Sequence, residues 1–252
     1  QVLETAEGGF MLIGGKGNSD EDSDMWLIKT NSQGDSLWTR SYGGSQSDIG
    51  HDILVDEEGG FVLLGSTESQ GNGGKDIWLF KIDENGNEEW NHTYGNGSDD
   101  IGQSVVRTYD GGYMIRYAIK SYGSGNTSIG LLRLGQGRDE IWTRTIGGST
   151  GIPGKSLQKT SEDEYVTSCS LFDNGNNSYD AYIIKINDSG DIIWDANFGG
   201  TEDDKARSLV QTFDGGYAIT GSTKNYGNGT KLDSDVWLVK TDPTGFSRNF
   251  EE

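Results

Sequence analysis

Apolar residues along this chain gather in short runs of about four to eight, separated by glycine, asparagine and acidic residues. Between residues 45 and 96 the runs read HDILV, GFVLLGST, DIWLFKI and NEEWNHTY. They are rich in β-branched and aromatic residues and lack a helical period, so each predicts a β-strand. Glu57-Glu58-Gly59-Gly60 joins the first two runs, and Asp83-Glu84-Asn85-Gly86 joins the last two. Glycine and asparagine tolerate the positive φ of tight hairpin turns, which predicts antiparallel neighbours. The two prolines, Pro153 and Pro243, fall in connecting segments.

The same pattern recurs along the chain. Glycine pairs stand at Gly8-Gly9, Gly59-Gly60, Gly111-Gly112 and Gly215-Gly216, each followed by an aromatic residue, and Tyr165 marks the remaining copy. Trp38, Trp90, Trp142 and Trp194 are spaced 52 residues apart. A third landmark is the series DMWLIK, DIWLFK, SIGLLR, DAYIIK and DVWLVK. Three independent landmarks thus agree on one period, and five copies of the unit are present. Four short strands in each copy predict an all-β fold, a five-bladed β-propeller with four antiparallel strands per blade. The whole chain, 1–252, is expected to be one domain, with blades near 1–44, 45–96, 97–148, 149–200 and 201–252. With the run before each glycine pair as the innermost strand, the last outer strand falls in FSRNFEE, a stretch without the tryptophan of the earlier copies.

The phrases DGGY…GST, D-x-W-L-x-K-x-D and W…GG resemble the repeats of β-propeller modules in secreted and surface proteins of bacteria and archaea, with a blade phase similar to WD40-type propellers. The resemblance spans essentially the whole chain. It implies the fold and says little about function, because propellers carry many unrelated activities.

Composition narrows the partners. Adding the 40 glycines to the 32% hydrophobic residues brings the chain to the apolar share of an ordinary globular protein. The formal net charge of −20 argues against nucleic acid or an anionic membrane surface as partner. No apolar run is long enough to span a bilayer, so no membrane insertion is expected. The one cysteine, Cys169, makes no internal disulfide. Catalytic signatures are thin: His51 and His92 occupy different phases of the repeat, and no nucleophile elbow, zinc-binding helix or phosphate loop occurs. No catalytic residue is assigned.

The long connections place the candidate chemistry on one face. These are the loops after each second strand, such as KSYGSGNTS and KNYGNGTKLDSD, and the links between blades, such as GGSQSDIG. Tyr122 and Tyr226 hold equivalent loop positions near Asn126 and Asn228, a combination suited to stacking on a sugar ring and bonding its hydroxyls. Packing of each tyrosine on its own blade is the structural alternative. Asp48, Asp100 and Asp204 recur just before the inner strand, either as carboxylates of a binding site or as turn caps. Asp20, Asp22 and Asp24 in NSDEDSD are weak calcium candidates, read first as a solvated loop. Calcium is the one cofactor left open. Six N-x-S/T sequons, at Asn91, Asn96, Asn126, Asn176, Asn187 and Asn228, point to a glycosylated, secreted or cell-surface protein.

The function expected from sequence is therefore a non-enzymatic, extracellular binding module for a glycan or protein at the loop face. One alternative is a surface-layer or filament subunit whose copies join through the C-terminal segment. Another is a carboxylate-based glycoside hydrolase.

Overall fold

The computed structural model describes residues 1–19, 22–120, 127–146, 152–160, 163–226 and 234–247. Its regular structure is all β. Strands β1 (Val2–Glu4), β2 (Phe10–Ser19), β3 (Asp22–Thr30) and β4 (Ser36–Tyr42) pair in chain order as one antiparallel sheet. Next come β5 (Asp48–Val55), β6 (Phe61–Thr67), β7 (Asp76–Ile82) and β8 (Glu88–Tyr94), in a second sheet of the same order. The third sheet contains β9 (Asp99–Arg107), β10 (Tyr113–Lys120), β11 (Thr127–Leu134) and β12 (Glu140–Ile146). The fourth contains β13 (Ile152–Lys159), β14 (Tyr165–Asp173), β15 (Ser178–Ile186) and β16 (Ile192–Phe198). The last sheet has three strands, β17 (Asp204–Gln211), β18 (Tyr217–Thr223) and β19 (Asp235–Thr241). Five consecutive up-and-down sheets are the five blades of a β-propeller. In the fifth, a single bridge from Ser247 to Thr241 begins the return past β19, and residues 248–252 lie outside the described residues. No described helix is long and apolar enough to cross a membrane.

Two compact units divide the chain, Gln1–Val105 with Tyr117–Gly125 and Val106–Arg116 with Asn126–Glu252. In the first, Met11, Ile13, Met25, Leu27, Leu63, Trp78 and Phe80 form a core between the first two blades. Every residue of β6 and β7 is buried, whereas β8 is half-buried to exposed. The middle strands of this second blade are covered on both faces, so their apolar runs are continuous, whereas β19 of the fifth blade alternates and leaves Val236 and Leu238 exposed. In the second unit, Leu131, Tyr165, Cys169 and Ile184 belong to one cluster, and Val166, Ile183, Leu209 and Tyr217 to another.

The repeated landmarks have mechanical causes. In the turn before Tyr217, Thr212 N donates to Gly216 O at 2.9 Å and Asp214 Oδ1 accepts from Gly216 N at 3.1 Å, while Gly215 takes φ +80°. The fourth-strand tryptophan reaches the next blade. Trp142 Nε1 donates to Asp188 O at 3.1 Å, and its ring lies so close to Gly190 that a Cβ there would stand 2.8 Å from it. Trp194 covers Gly245 in the same way. Tyr42, from the first blade, donates its hydroxyl to Gly86 O at 2.7 Å in the second. These glycines, at φ of +78° to +86°, are both the turn residue and the seat for the neighbouring blade. In the third blade Arg138 holds that left-handed position at φ +71°.

Candidate functional site

The links between blades end on an aspartate that opens the next inner strand. Gly44 N donates to Asp48 Oδ2 at 2.8 Å, Asn96 N to Asp100 Oδ2 at 3.0 Å, and Gly200 N to Asp204 Oδ2 at 3.0 Å. Each carboxylate therefore closes its own turn. A second aspartate from the preceding blade meets each one. Asp24, Asp76 and Asp180 stand at or near the start of the third strand, each 24 residues before its partner. A Cβ on Gly43 would overlap both Asp24 and Asp48, with Asp48 Oδ2 2.7 Å away. On Gly95 it would overlap Asp76, with Asp100 Oδ2 at 3.1 Å. On Gly199 it would stand 2.7 Å from Asp180 Cγ and 3.1 Å from Asp204 Oδ2. Only glycine leaves room for the pair to converge. At the link between blades three and four the matching positions are Ser128 and Ile152, so that pair is missing from the sequence.

The Asp180–Asp204 pair has the richest surroundings. Asp204 is 0% exposed, and its oxygens accept from Gly200 N, from Asn225 Nδ2 at 2.6 Å and from the Thr223 hydroxyl. Asp180 is 6% exposed, and its Oδ1 accepts no hydrogen bond. Burial, with the charges of Asp173 and Asp204 adding to it, holds the Asp180 carboxyl above the usual carboxylate range, against a hydrogen bond from Asn197. One carboxyl is thus disposed to keep its proton, while the other is fixed by three hydrogen-bond donors.

Three polar or aromatic side chains border the pair. Asn176 Nδ2 donates to Gly200 O at 3.2 Å, and Asn225 also donates to Glu202 O at 3.0 Å. Tyr226 is 57% exposed, donates its hydroxyl to Gly199 O at 3.1 Å and lies 6.0 Å from the Trp237 ring. Asp203 holds Tyr179 N at 3.1 Å and Lys205 at 3.4 Å; burial works against its ionised form, but these contacts and Lys224 bring its carboxyl below the usual range. The edge of the site therefore carries permanent charge, and its interior carries the acid.

The other sequence candidates are scattered. Tyr122, Asn126, Asn228 and Asp20 lie outside the described residues. Asp22 and Asp24 are in β3 and not in a loop, because Lys16, Gly17 and Ser19 of β2 continue the ladder opposite Asp24, Ser23 and Asp22. Among the described residues no three acidic, histidine or cysteine side chains are grouped to hold a metal ion. Asn91 is within β8, where Trp78 Nε1 donates to its Oδ1 at 3.3 Å. Asn96 belongs to the link that Asp100 closes, and Asn187 to the turn before Asp191. Asp180, Asp76, Asn197 and Asn225 were not singled out from sequence. The constant spacing of 24 residues between paired aspartates is the signal that marks two of them.

No protein-family model matches the sequence, and no curated protein matches it. Among solved structures, the chain is similar to an endo-arabinase from Bacteroides thetaiotaomicron, with 11% identity and a TM-score of 0.51 over 97% of this chain and 94% of that one. At this identity the likeness is one of fold. The expectation of a non-enzymatic module is corrected on this finding, because that solved enzyme shares the fold along nearly the whole of both chains. With 40 acidic residues in the chain, abundance alone marks no pair. The blade junctions select particular pairs from among them.

Proposed function

We propose that this chain is a glycoside hydrolase that cleaves a polysaccharide by a retaining mechanism, with Asp180 as general acid and base and Asp204 as nucleophile. The observation that carries the reading is the convergence of these two carboxyls on the bare Cα of Gly199, where burial and neighbouring charges raise Asp180 while three hydrogen-bond donors hold Asp204 in place. Both carboxyls abut one point, since a Cβ on Gly199 would stand 2.7 Å from Asp180 Cγ and 3.1 Å from Asp204 Oδ2, which leaves less than the roughly 6.5–9.5 Å that an inverting pair needs to admit a water molecule. The likeness to an endo-arabinase supports the substrate class.

In the first step protonated Asp180 gives its proton to the glycosidic oxygen, and Asp204 attacks the anomeric carbon. The leaving sugar departs as an alcohol, and a glycosyl ester forms on Asp204. In the second step the Asp180 carboxylate takes a proton from water, which attacks the anomeric carbon and frees Asp204. Tyr226 presents an exposed ring for stacking on a sugar, and the amides of Asn176 and Asn225 suit hydroxyl recognition. Reducing-sugar release from a polysaccharide panel that includes arabinan tests the proposal. Turnover lost in Asp180→Asn and Asp204→Asn supports it; a folded parent without turnover on any member opposes it.

A further inference from the structure

The junction between the second and third blades carries the same pair of carboxyls in a different setting. Asp76 opens β7 and is 1% exposed; Asp100 lies in β9 and is 2% exposed. Asp76 Oδ2 accepts from Asn72 N at 2.7 Å, and Asp100 Oδ2 accepts from Asn96 N at 3.0 Å. Asp76 Oδ1 is buried, accepts no hydrogen bond, and points into the space beside Gly95 that Asp100 Oδ2 also faces. Gly95 holds φ +155°, and any Cβ there would fill this space. A third carboxylate, Asp99, closes the loop from the other side by accepting Lys75 N at 3.1 Å. Burial raises the Asp76 carboxyl; it also raises Asp100, to which the charges of Asp76 and Asp99 add.

A buried carboxylate oxygen without a donor, facing a second carboxylate across a space kept open by glycine, is costly unless a positive charge enters. At the Asp180–Asp204 pair, amide N–H groups of Asn197 and Asn225 point their positive ends at the carboxyls. Residue 93, which matches Asn197 in the repeat, is threonine, and residue 41 is serine. The junction at Asp76 therefore lacks that amide.

We infer that the gap between Asp76 and Asp100 binds a hard divalent cation, which ties the start of β7 to the start of β9. Two carboxylates supply the charge, and backbone oxygens and water complete the shell, as these ions commonly arrange. This site is separate from the proposed catalytic pair. An ion there adds stability without taking part in bond cleavage.

The test is calorimetric titration of the metal-stripped full chain with CaCl2, and with MgCl2 in parallel, on the parent and on Asp76→Asn and Asp100→Asn. The parent is expected to bind calcium, and each variant to lose one equivalent. Thermal unfolding provides a second readout: saturating calcium raises the parent midpoint by roughly 5 °C relative to EDTA. The isosteric Asp76→Asn removes a buried charge, so in EDTA its midpoint should equal or exceed that of the parent, and calcium should raise it less. Terbium luminescence, sensitised by Trp78 or Tyr94 and displaced by calcium, reports the site directly should either variant fold poorly. No calcium binding by the parent, or equal stoichiometry in parent and both variants, overturns the inference.

Discussion

Asp180 and Asp204, 24 residues apart and on neighbouring blades, meet at Gly199, where a single methyl group would separate them. Asp180 keeps a buried oxygen free of donors, and Asp204 is held by three. That asymmetry is what an acid and a nucleophile require of two otherwise identical side chains.

Asp180→Asn and Asp204→Asn are expected to lower kcat by about 100-fold or more, the range in which proton transfer by a positioned group contributes. Circular dichroism and the unfolding midpoint check that both variants keep the fold. A glycosyl intermediate should be trapped by an activated fluoro-sugar on parent Asp204, and mass spectrometry of the peptide carrying it reads the adduct.

The pH profile follows from the direction of the Asp180 shift. Activity needs Asp180 protonated, so it declines as pH rises through that group's raised value. Initial rates across pH check the direction of this limb.

Tyr226→Ala should raise KM by about tenfold with a smaller change in kcat, as loss of one stacking contact predicts. A fall in kcat with unchanged KM would assign Tyr226 to the chemical step, against its proposed role as a platform.

Stability responds to pH through the same carboxyls. Asp76, Asp100 and Asp180 bind their protons more tightly in the folded chain than in the unfolded one. Their contribution is whole below the ordinary carboxylate value and is lost as pH rises through the raised folded values. In EDTA, the stability of Asp76→Asn relative to the parent should therefore increase with pH. Urea unfolding of the two proteins at several pH values measures it.

The tryptophan seat gives a fifth expectation. Gly34 and Gly190 share a left-handed conformation, but a Cβ on Gly34 meets nothing within 4 Å, whereas on Gly190 it meets Trp142 and Arg144. Alanine at Gly34 should cost about 1 kcal/mol for the backbone alone. Alanine at Gly190 should cost more, because the ring must also move. Arg138→Gly should stabilise by about 1 kcal/mol, relieving the left-handed arginine. Chemical unfolding of the three variants checks the order.

The blades were legible because each landmark serves a local need. The glycine pair makes a hairpin, the Trp-containing third run is a covered strand, and the fourth-strand tryptophan covers the next turn. Asp22 and Asp24 of the acidic run lie in a strand and not in the loop expected, since the serines and glycine around them resemble turn chemistry. The Lys16–Asp24 register and Lys16 over the Trp26 ring at 5.4 Å instead extend the hairpin. The pair proposed as catalytic was harder to see. Asp180 looked like one more copy of a strand landmark, and Asp204 one more turn cap. Their meeting depends on the path of the chain between two blades, which no local pattern displays.

The most direct test is proton NMR of the anomeric signal while the parent enzyme cleaves a polysaccharide or aryl glycoside of defined configuration. A retaining pair predicts that the first product has the configuration of the bond cleaved and drifts to the equilibrium mixture afterwards. A first product of inverted configuration, or a rate unchanged in Asp180→Asn and Asp204→Asn, would contradict the account.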